Sequence, residues 1–374
     1  MADDQPDGIH LTRAGDRADA VAALADLLGG RVGPDAVLAD LNRRARRSRV
    51  PGRAPGSAVE QALAWDRADR CTRRWWPQGI SSSADASPHG TAGDDFVGRR
   101  VLVTSWYARP VHEDGDDGSR GARISFVDLA TRRYRHVLLV TPKLDAEGRL
   151  QLNPLRVHAG GIVWWGGHLY VAATARGFWV CRLDDLLRVP DAVASGDPDR
   201  LGIRAGRVSS FGYRYLLPVS FQMRGGAEPG AERLRWSFLS VDRAATPPEL
   251  VAGEYGRGDQ SRRLARFALD PTTGLPAANA HGVSRPLAVD HEGVAGTQGV
   301  AIARGEQYRT VSHGPLLPGT VVVGRGGRVR RHRAATPVGP EDLTYWASTD
   351  LLWSLTEHPG RRWICAMRRS TFDR

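Results

Sequence analysis

Four residues with acid–base or hydrogen-bonding side chains stand at the head of similar short phrases. They are Gln78 in Gln78-Gly79-Ile80, His158 in His158-Ala159-Gly160-Gly161-Ile162, Gln298 in Gln298-Gly299-Val300 and Glu341 in Glu341-Asp342-Leu343. Each phrase opens an apolar run. A second apolar run follows, ending in Trp106-Tyr107, Thr174-Ala175-Arg176, Ser312-His313 or Glu357-His358. An imidazole moves protons or binds metal near neutral pH, a glutamate serves as acid or base, and amides fix a ligand's orientation. We therefore expect His158 and Glu341 to be catalytic, with Gln78, Gln298, Tyr107, Arg176, His313, Glu357 and His358 binding the substrate. Glu341 and Glu357 would form an acid and base pair of the glycosidase kind if their separation suited it. His158, His313 and Glu341 are also candidate ligands for a channel-bound zinc or iron ion, although neither a His-x-x-x-His spacing nor an Asp-x-Asp-x-Asp loop supports a metal. The competing reading is that these polar side chains only bond neighbouring strands or hold channel water, because buried polar groups require partners.

Recurrence at intervals of tens of residues marks a repeat architecture, and β-rich units make the propeller the leading candidate. In a propeller the first strand of each blade lines a central channel and the second runs antiparallel to it. The starts of the first strands and the ends of the second would then converge on one mouth. The expected fold is all-β, a five-bladed β-propeller over residues 75–374 behind a short α-helical N-terminal leader over residues 1–74. The first blade holds Gln78 to Ala84, Arg100 to Tyr107, Ala122 to Asp128 and His136 to Thr141; the second starts at His158, the fourth at Gln298 and the fifth at Glu341. The third is the least regular, with Tyr215 to Met223 as its first strand and Ser220 or Gln222 at the mouth. A sandwich would not explain similar phrases opening successive units. Adjacent strand residues face opposite ways, so Glu341 is expected to aim into the channel and Asp342 to tie the structure together.

Three helices are expected in the leader. Asp16 can cap one that Gly29 and Gly30 stop, a second begins near Asp35, and Ser57-Ala58-Val59-Glu60 fits a capping box for a third. The Pro51 to Pro55 stretch between them reads as a flexible link.

Composition bounds the rest. The 374 residues carry a net charge of +11, and Lys143 is the only lysine among the 52 basic residues, which disfavours Schiff-base chemistry. The arginine runs Arg43 to Arg49 and Arg325 to Arg333 lack interleaved aromatics, so they read as solvated surface and nucleic acid is not expected as a partner. Cys71, Cys181 and Cys365 are too few and too scattered for a disulfide framework or a Cys-x-x-Cys knuckle. There is no apolar stretch long enough for a membrane span and no apolar signal core at the start, so the expected location is cytoplasmic with no membrane partner. Gly324-Arg325-Gly326-Gly327 lacks the Gly-Lys-Ser/Thr of a phosphate-binding loop and reads as a hairpin turn. Trp75-Trp76 and Trp164-Trp165 read as packing residues.

The phrases Trp76-Pro77-Gln78-Gly79-Ile80, His158-Ala159-Gly160-Gly161-Ile162 and Pro340-Glu341-Asp342-Leu343-Thr344-Tyr345, with Leu352-Trp353-Ser354, resemble those of uncharacterised actinobacterial five-bladed propeller proteins, many of them exported. The resemblance covers about Trp75 to Met367 and implies the fold without assigning catalytic residues. The functional expectation is an enzyme acting on a polar small molecule or glycan at the channel mouth, by hydrolase- or lyase-like acid–base chemistry. The alternative is a ligand-binding or scaffold propeller using the same mouth.

Overall fold

Runs of β-branched and aromatic residues between glycines and prolines hydrogen-bond into five multi-stranded sheets and one small hairpin. These are counted over the residues the structure describes: 6–48, 56–86, 94–111, 120–190, 198–326 and 328–373. The structure is a computed structural model. Sheet one starts with Trp75–Ser82 and continues through Val101–Ala108, Ala122–Asp128 and Arg133–Leu144. Sheet two runs from Ile162–Trp165 through His168–Ala173 and Gly177–Arg182 to Phe221–Ala227. Sheets three, four and five open with Phe238–Asp242, Thr297–Ala303 and Pro340–Trp346. These five opening strands touch one another in cyclic order, one to five and back to one, which makes the fold an all-β propeller.

Glycine explains how the inner strands come so close. A Cβ on Gly79 of sheet one would lie 2.9 Å from the Ile162 nitrogen of sheet two, and one on Gly161 would lie 2.3 Å from the Leu239 nitrogen of sheet three. On Gly299 of sheet four it would lie 2.5 Å from the Asp342 Cα of sheet five. The small residues in the recurring phrases are thus where one inner strand crowds the next. Asp342 is fully buried, and its Oδ2 accepts from Ile80 N at 3.1 Å and Ile162 N at 3.4 Å, joining three inner strands.

Three expectations are corrected. Four blades are recognised in place of five. Two of the sheets depart from a regular four-stranded unit: sheet one is extended by Tyr215–Pro218 and Leu187–Arg188, and sheet two by Ile9–Ala14 and Val283–Ser284. Next, the 215–223 stretch is no inner strand. Tyr215–Pro218 adds in parallel to sheet one and Phe221–Ala227 closes sheet two, so Phe238–Asp242 is the inner strand instead.

The third correction concerns the leader. Helices α1 (Ala18–Leu28) and α2 (Gly33–Ala39) stand where expected; Asp16 Oδ1 accepts from Ala18 N at 3.0 Å, and Gly29 stops α1 at φ 86°. The capping-box segment forms no helix. Val59–Ala64 is a strand that pairs with Trp363–Arg368 and becomes the fourth strand of sheet five, while Ile9–Ala14 pairs with Phe221–Ala227. An unpaired outer strand leaves a row of free amides and carbonyls, and the N-terminal strands satisfy them. The leader is therefore woven into the propeller. The Pro51 to Pro55 link lies outside the described residues.

Helix α3 (Arg67–Cys71) carries Asp69 into sheet one. Its carboxylate is buried and accepts from Arg123 Nη2 at 2.8 Å, Tyr134 Oη at 2.6 Å and His136 Nε2 at 2.9 Å. Trp106 Nε1 donates to Ser125 Oγ, leaving the Ser125 hydroxyl to donate to His136 Nδ1, 2.8 Å away. The neutral His136 thus carries its proton on Nε2, facing Asp69. The order Ser125, His136, Asp69 is that of a hydrolytic triad, but all three are sealed from solvent, so it is a structural lock. Trp164 and Trp165 are both fully buried, one in the core between sheets one and two and the other between sheets two and three.

Candidate functional site

A cavity of about 510 Å³ opens where the inner strands begin. Gln78, Tyr107, His158, Gln298, Glu341 and Glu357 line it together, with Arg109, Gly160, Thr174, Ser237 and Tyr255. Six of the nine residues singled out from the sequence therefore share one wall. The other three stand apart. Arg176 points to solvent, with its carbonyl accepting from Gln222 Nε2. His313 is occupied with Thr320 Oγ1 at 2.8 Å, and His358 lies behind Glu357, its Nδ1 3.8 Å from that carboxyl and its ring edge-on to Trp76. The metal set of His158, His313 and Glu341 is not assembled, and among the described residues no group of three His, Cys, Asp or Glu side chains is arranged to hold an ion.

Hydroxyls on the second strands fix the phrases at the mouth. Ser105 Oγ accepts from Gly79 N at 2.8 Å and donates to the Ala159 carbonyl at 2.8 Å, tying the residues beside Gln78 and His158 to one another. Ala159 adopts a left-handed backbone, φ 54°, uncommon outside glycine. Thr310 Oγ1 donates to the Glu341 carbonyl at 2.6 Å. The serine or threonine shortly before each second-strand end was visible in Thr104-Ser105-Trp106 and Thr310-Val311-Ser312, and marks these positioning groups.

Two carboxyls dominate the electrostatics. Glu341 is 3% exposed; burial first, then the neighbouring Glu357 and Asp342, holds its carboxyl well above the usual range, and it hydrogen-bonds Glu357 in the neutral form. Burial also raises Glu357, while Gln78, Arg109 and Arg362 favour its charge. Both carboxyls are therefore held above the ordinary range, and the shared proton is held more tightly by Glu341 than by Glu357. Gln78 Nε2 donates to Glu357 at 3.1 Å and Gln298 Nε2 to Glu341 at 3.2 Å, so each amide steadies one member. Two carboxyls in direct hydrogen bond are closer than the ~5 Å of a retaining glycosidase pair or the wider inverting spacing. That corrects the glycosidase-like expectation and makes the arrangement a proton-sharing dyad.

His158 packs against Tyr107 with ring centroids 4.3 Å apart and the planes tilted by 35°. Enclosure by the cavity wall, with Arg109 nearby, lowers the imidazole from its ordinary value and keeps it neutral. Burial pushes Tyr107 up to about 12, so it stays a hydroxyl donor. The cation at the rim is Arg109, whose guanidinium stacks on Trp76 at 4.4 Å. Sequence reasoning missed it because it lies just past the strand end Val101–Ala108. Ser237 was missed because sheet three lacks a polar-glycine phrase.

No protein-family model matches the sequence, and no curated protein is similar to it. Among solved structures the chain is similar to hydrazine synthase of Kuenenia stuttgartiensis (13% identity, TM-score 0.33, 82% of this chain and 75% of that one). It is also similar to a chain of a nidogen/laminin complex (9%, 0.33, 83% and 90%) and to the β-propeller domain of Cps50 (Swd1) from Myceliophteria thermophila (8%, 0.34, 87% and 99%). Nothing about activity passes from these proteins to this chain. Among the described residues no helix is long and apolar enough to cross a membrane.

Proposed function

We propose that the protein is a propeller enzyme that acts on a polar small molecule at this mouth by acid–base chemistry, hydrolytic or eliminative. The observation that carries the enzymatic reading is the Glu341–Glu357 pair, two neighbouring carboxyls of which Glu341 is held further above the ordinary range, lining the same cavity as a neutral imidazole. Titratable groups whose environments push their proton affinities apart mark acid and base. Glu357 accepts a proton from water or a substrate hydroxyl, and Glu341 delivers one to the leaving oxygen. Gln78 and Gln298 hold the two carboxyls in register, His158 and Tyr107 bond the substrate's polar groups, and Arg109 favours a ligand with a partial negative charge. The dyad's closeness favours a small molecule over glycan displacement.

The test is a metabolite panel incubated with the protein and read by proton NMR for substrate loss, repeated with Glu341→Gln and Glu357→Gln. The reading predicts turnover that falls at least ~100-fold in each variant, the usual contribution of a general acid or base, with the fold intact by circular dichroism. A ligand bound at the mouth and never converted would replace this reading with the binding-module alternative.

A further inference from the structure

Three of the five sheets bring the same short pattern to the channel mouth. At or just past the end of the second strand stand a hydroxyl-bearing residue, a small residue and an arginine: Tyr107-Ala108-Arg109 on sheet one, Thr174-Ala175-Arg176 on sheet two and Tyr255-Gly256-Arg257 on sheet three. Tyr107, Thr174 and Tyr255 all line the cavity, and the arginine two residues later is exposed in each case. Sheets four and five do not repeat the pattern; their strand ends carry Ser312-His313 and Glu357-His358. The mouth is therefore polarised. Arginines come from sheets one to three, while the only carboxyls lining the cavity, Glu341 and Glu357, come from sheet five.

These arginines keep their charge to offer. Among the described residues no ion pair reaches Arg109, Arg176 or Arg257. The carboxylate next in sequence to Tyr255 is already used: Glu254 is buried and accepts from Arg263 Nη2 at 3.0 Å and Arg235 N at 2.9 Å. Arg109 lies over the Trp76 ring at 4.4 Å and Arg257 over the Tyr255 ring at 4.9 Å. A guanidinium lying on an aromatic ring is held in place yet keeps its N–H edge for paired hydrogen bonds to carboxylate or phosphate oxygens. The charge of Arg109 is already felt by Tyr107, His158 and Glu357, which places it over the same ligand space as the dyad. Arg176, pointing to solvent outside the wall, adds to the field that draws anions in, over the ~8 Å that salt leaves unscreened.

We propose that the ligand of this mouth is a hydroxylated organic anion, a sugar phosphate or a sugar acid, with its anionic group held by Arg109 and Arg257 and a hydroxyl or ether oxygen turned to Glu341 and Glu357. The hydroxyls of Tyr107, Thr174, Ser237 and Tyr255 around the same wall match a polyol between those two ends. A neutral sugar would leave the guanidiniums without acceptors. The orientation rests on the acid–base reading of the dyad, whereas the preference for an anion rests on the arginines alone.

The test is isothermal titration calorimetry on the full chain at physiological salt, with glucose 6-phosphate, ribose 5-phosphate, gluconate and glucuronate beside neutral glucose and ribose and inorganic phosphate. At least one sugar anion should bind saturably at one site, at least tenfold more tightly than its neutral parent, as a charge-assisted hydrogen bond implies. Whether the phosphates or the acids bind tells the two sources of the anion apart. Arg109→Gln with Arg257→Gln, both exposed positions, should erase that preference without changing the melting midpoint, and Arg109→Lys should restore part of it. Absence of binding by all four anions would overturn the proposal. So would neutral parents binding as tightly, inorganic phosphate binding as tightly as the sugar phosphates, or indifference to the arginine changes. An anion that binds with this preference and is never converted would sink the enzymatic reading alone. Turnover of a neutral sugar that is lost in Glu357→Gln and untouched by the arginine changes would sink this proposal alone.

Discussion

Asp69→Asn removes one negative charge and almost no volume, and it should be among the more damaging single substitutions in the protein. The native carboxylate is 3% exposed and accepts three hydrogen bonds, one of them from Arg123, itself 4% exposed. The amide leaves that guanidinium buried without its counter-ion, and breaking a buried pair from one side costs ~3–5 kcal/mol. At an unfolding entropy of about 2.1 cal/mol/K per residue over 374 residues, this lowers the melting midpoint by about 4–6 °C. Scanning calorimetry at pH 7.5 measures it, with exposed Glu147→Gln as the control that stays within ~0.5 kcal/mol. The acid limb adds a signature. Burial opposes ionisation of Asp69, but His136, Arg123 and Arg43 outweigh it and hold the carboxyl well below 3.8. Its contribution is therefore present above the ordinary carboxylate range and lost as pH falls through the native value, so the gap between wild type and variant should persist to about pH 4 and close below it. A variant melting within 1 °C of wild type at pH 7.5 would refute the claim that Asp69 locks α3 and sheet one together.

Asp85, on helix α4 (Ser83–Ala86), lines a cavity of about 310 Å³ beyond the far ends of the inner strands, and burial lifts its carboxyl to about 6. The stability this neutral acid allows is present below its ordinary 3.8 and lost as pH rises to about 6. Asp85→Asn should therefore stabilise by up to ~3 kcal/mol above pH 6 and by almost nothing at pH 4; a chemical-denaturation series showing the same difference at both ends would count against it. Deleting residues 1–55 removes Ile9–Ala14 from sheet two and Arg46–Arg47 from sheet five, so the truncated chain should aggregate or melt without cooperativity. A soluble, cooperatively melting truncation would show that those strands are dispensable. His158→Ala should abolish ligand binding or turnover with little change in melting, whereas Trp353→Ala should cost ~3–5 kcal/mol. Equal melting losses, with ligand binding kept in His158→Ala, would make His158 structural.

The parts of the fold legible in the sequence were those with a steric cause. Gly79, Gly161 and Gly299 stand where a neighbouring inner strand leaves no room for a Cβ, so their phrases mark strand starts and bring Gln78, His158, Gln298 and Glu341 to one cavity. The side alternation of a strand separated Glu341, at the cavity, from Asp342, which bonds Ile80 and Ile162. Sheet three was misread because Ser237-Phe238 carries no glycine beside it and because Phe221–Ala227 has equal β character but a different partner. Val59–Ala64 was read as helical because Ser57 and Glu60 satisfy a local rule, while the free edge of Trp363–Arg368 that recruits it lies some three hundred residues away in the chain. Arg109 replaces Arg176 at the rim because side-chain direction past a strand end depends on packing against Trp76, which has no local signature.

The most direct test of the dyad is a carboxyl carbon-13 NMR titration of protein labelled at the glutamate side chains. One glutamate should remain protonated after the exposed glutamates have ionised, and its signal should vanish in Glu341→Gln. In Glu357→Gln the same carboxyl should titrate closer to the ordinary range, because the like charge that raises it is gone. If every glutamate ionises together in the ordinary carboxylate range, Glu341 and Glu357 share no proton, and the acid–base account of this site is wrong.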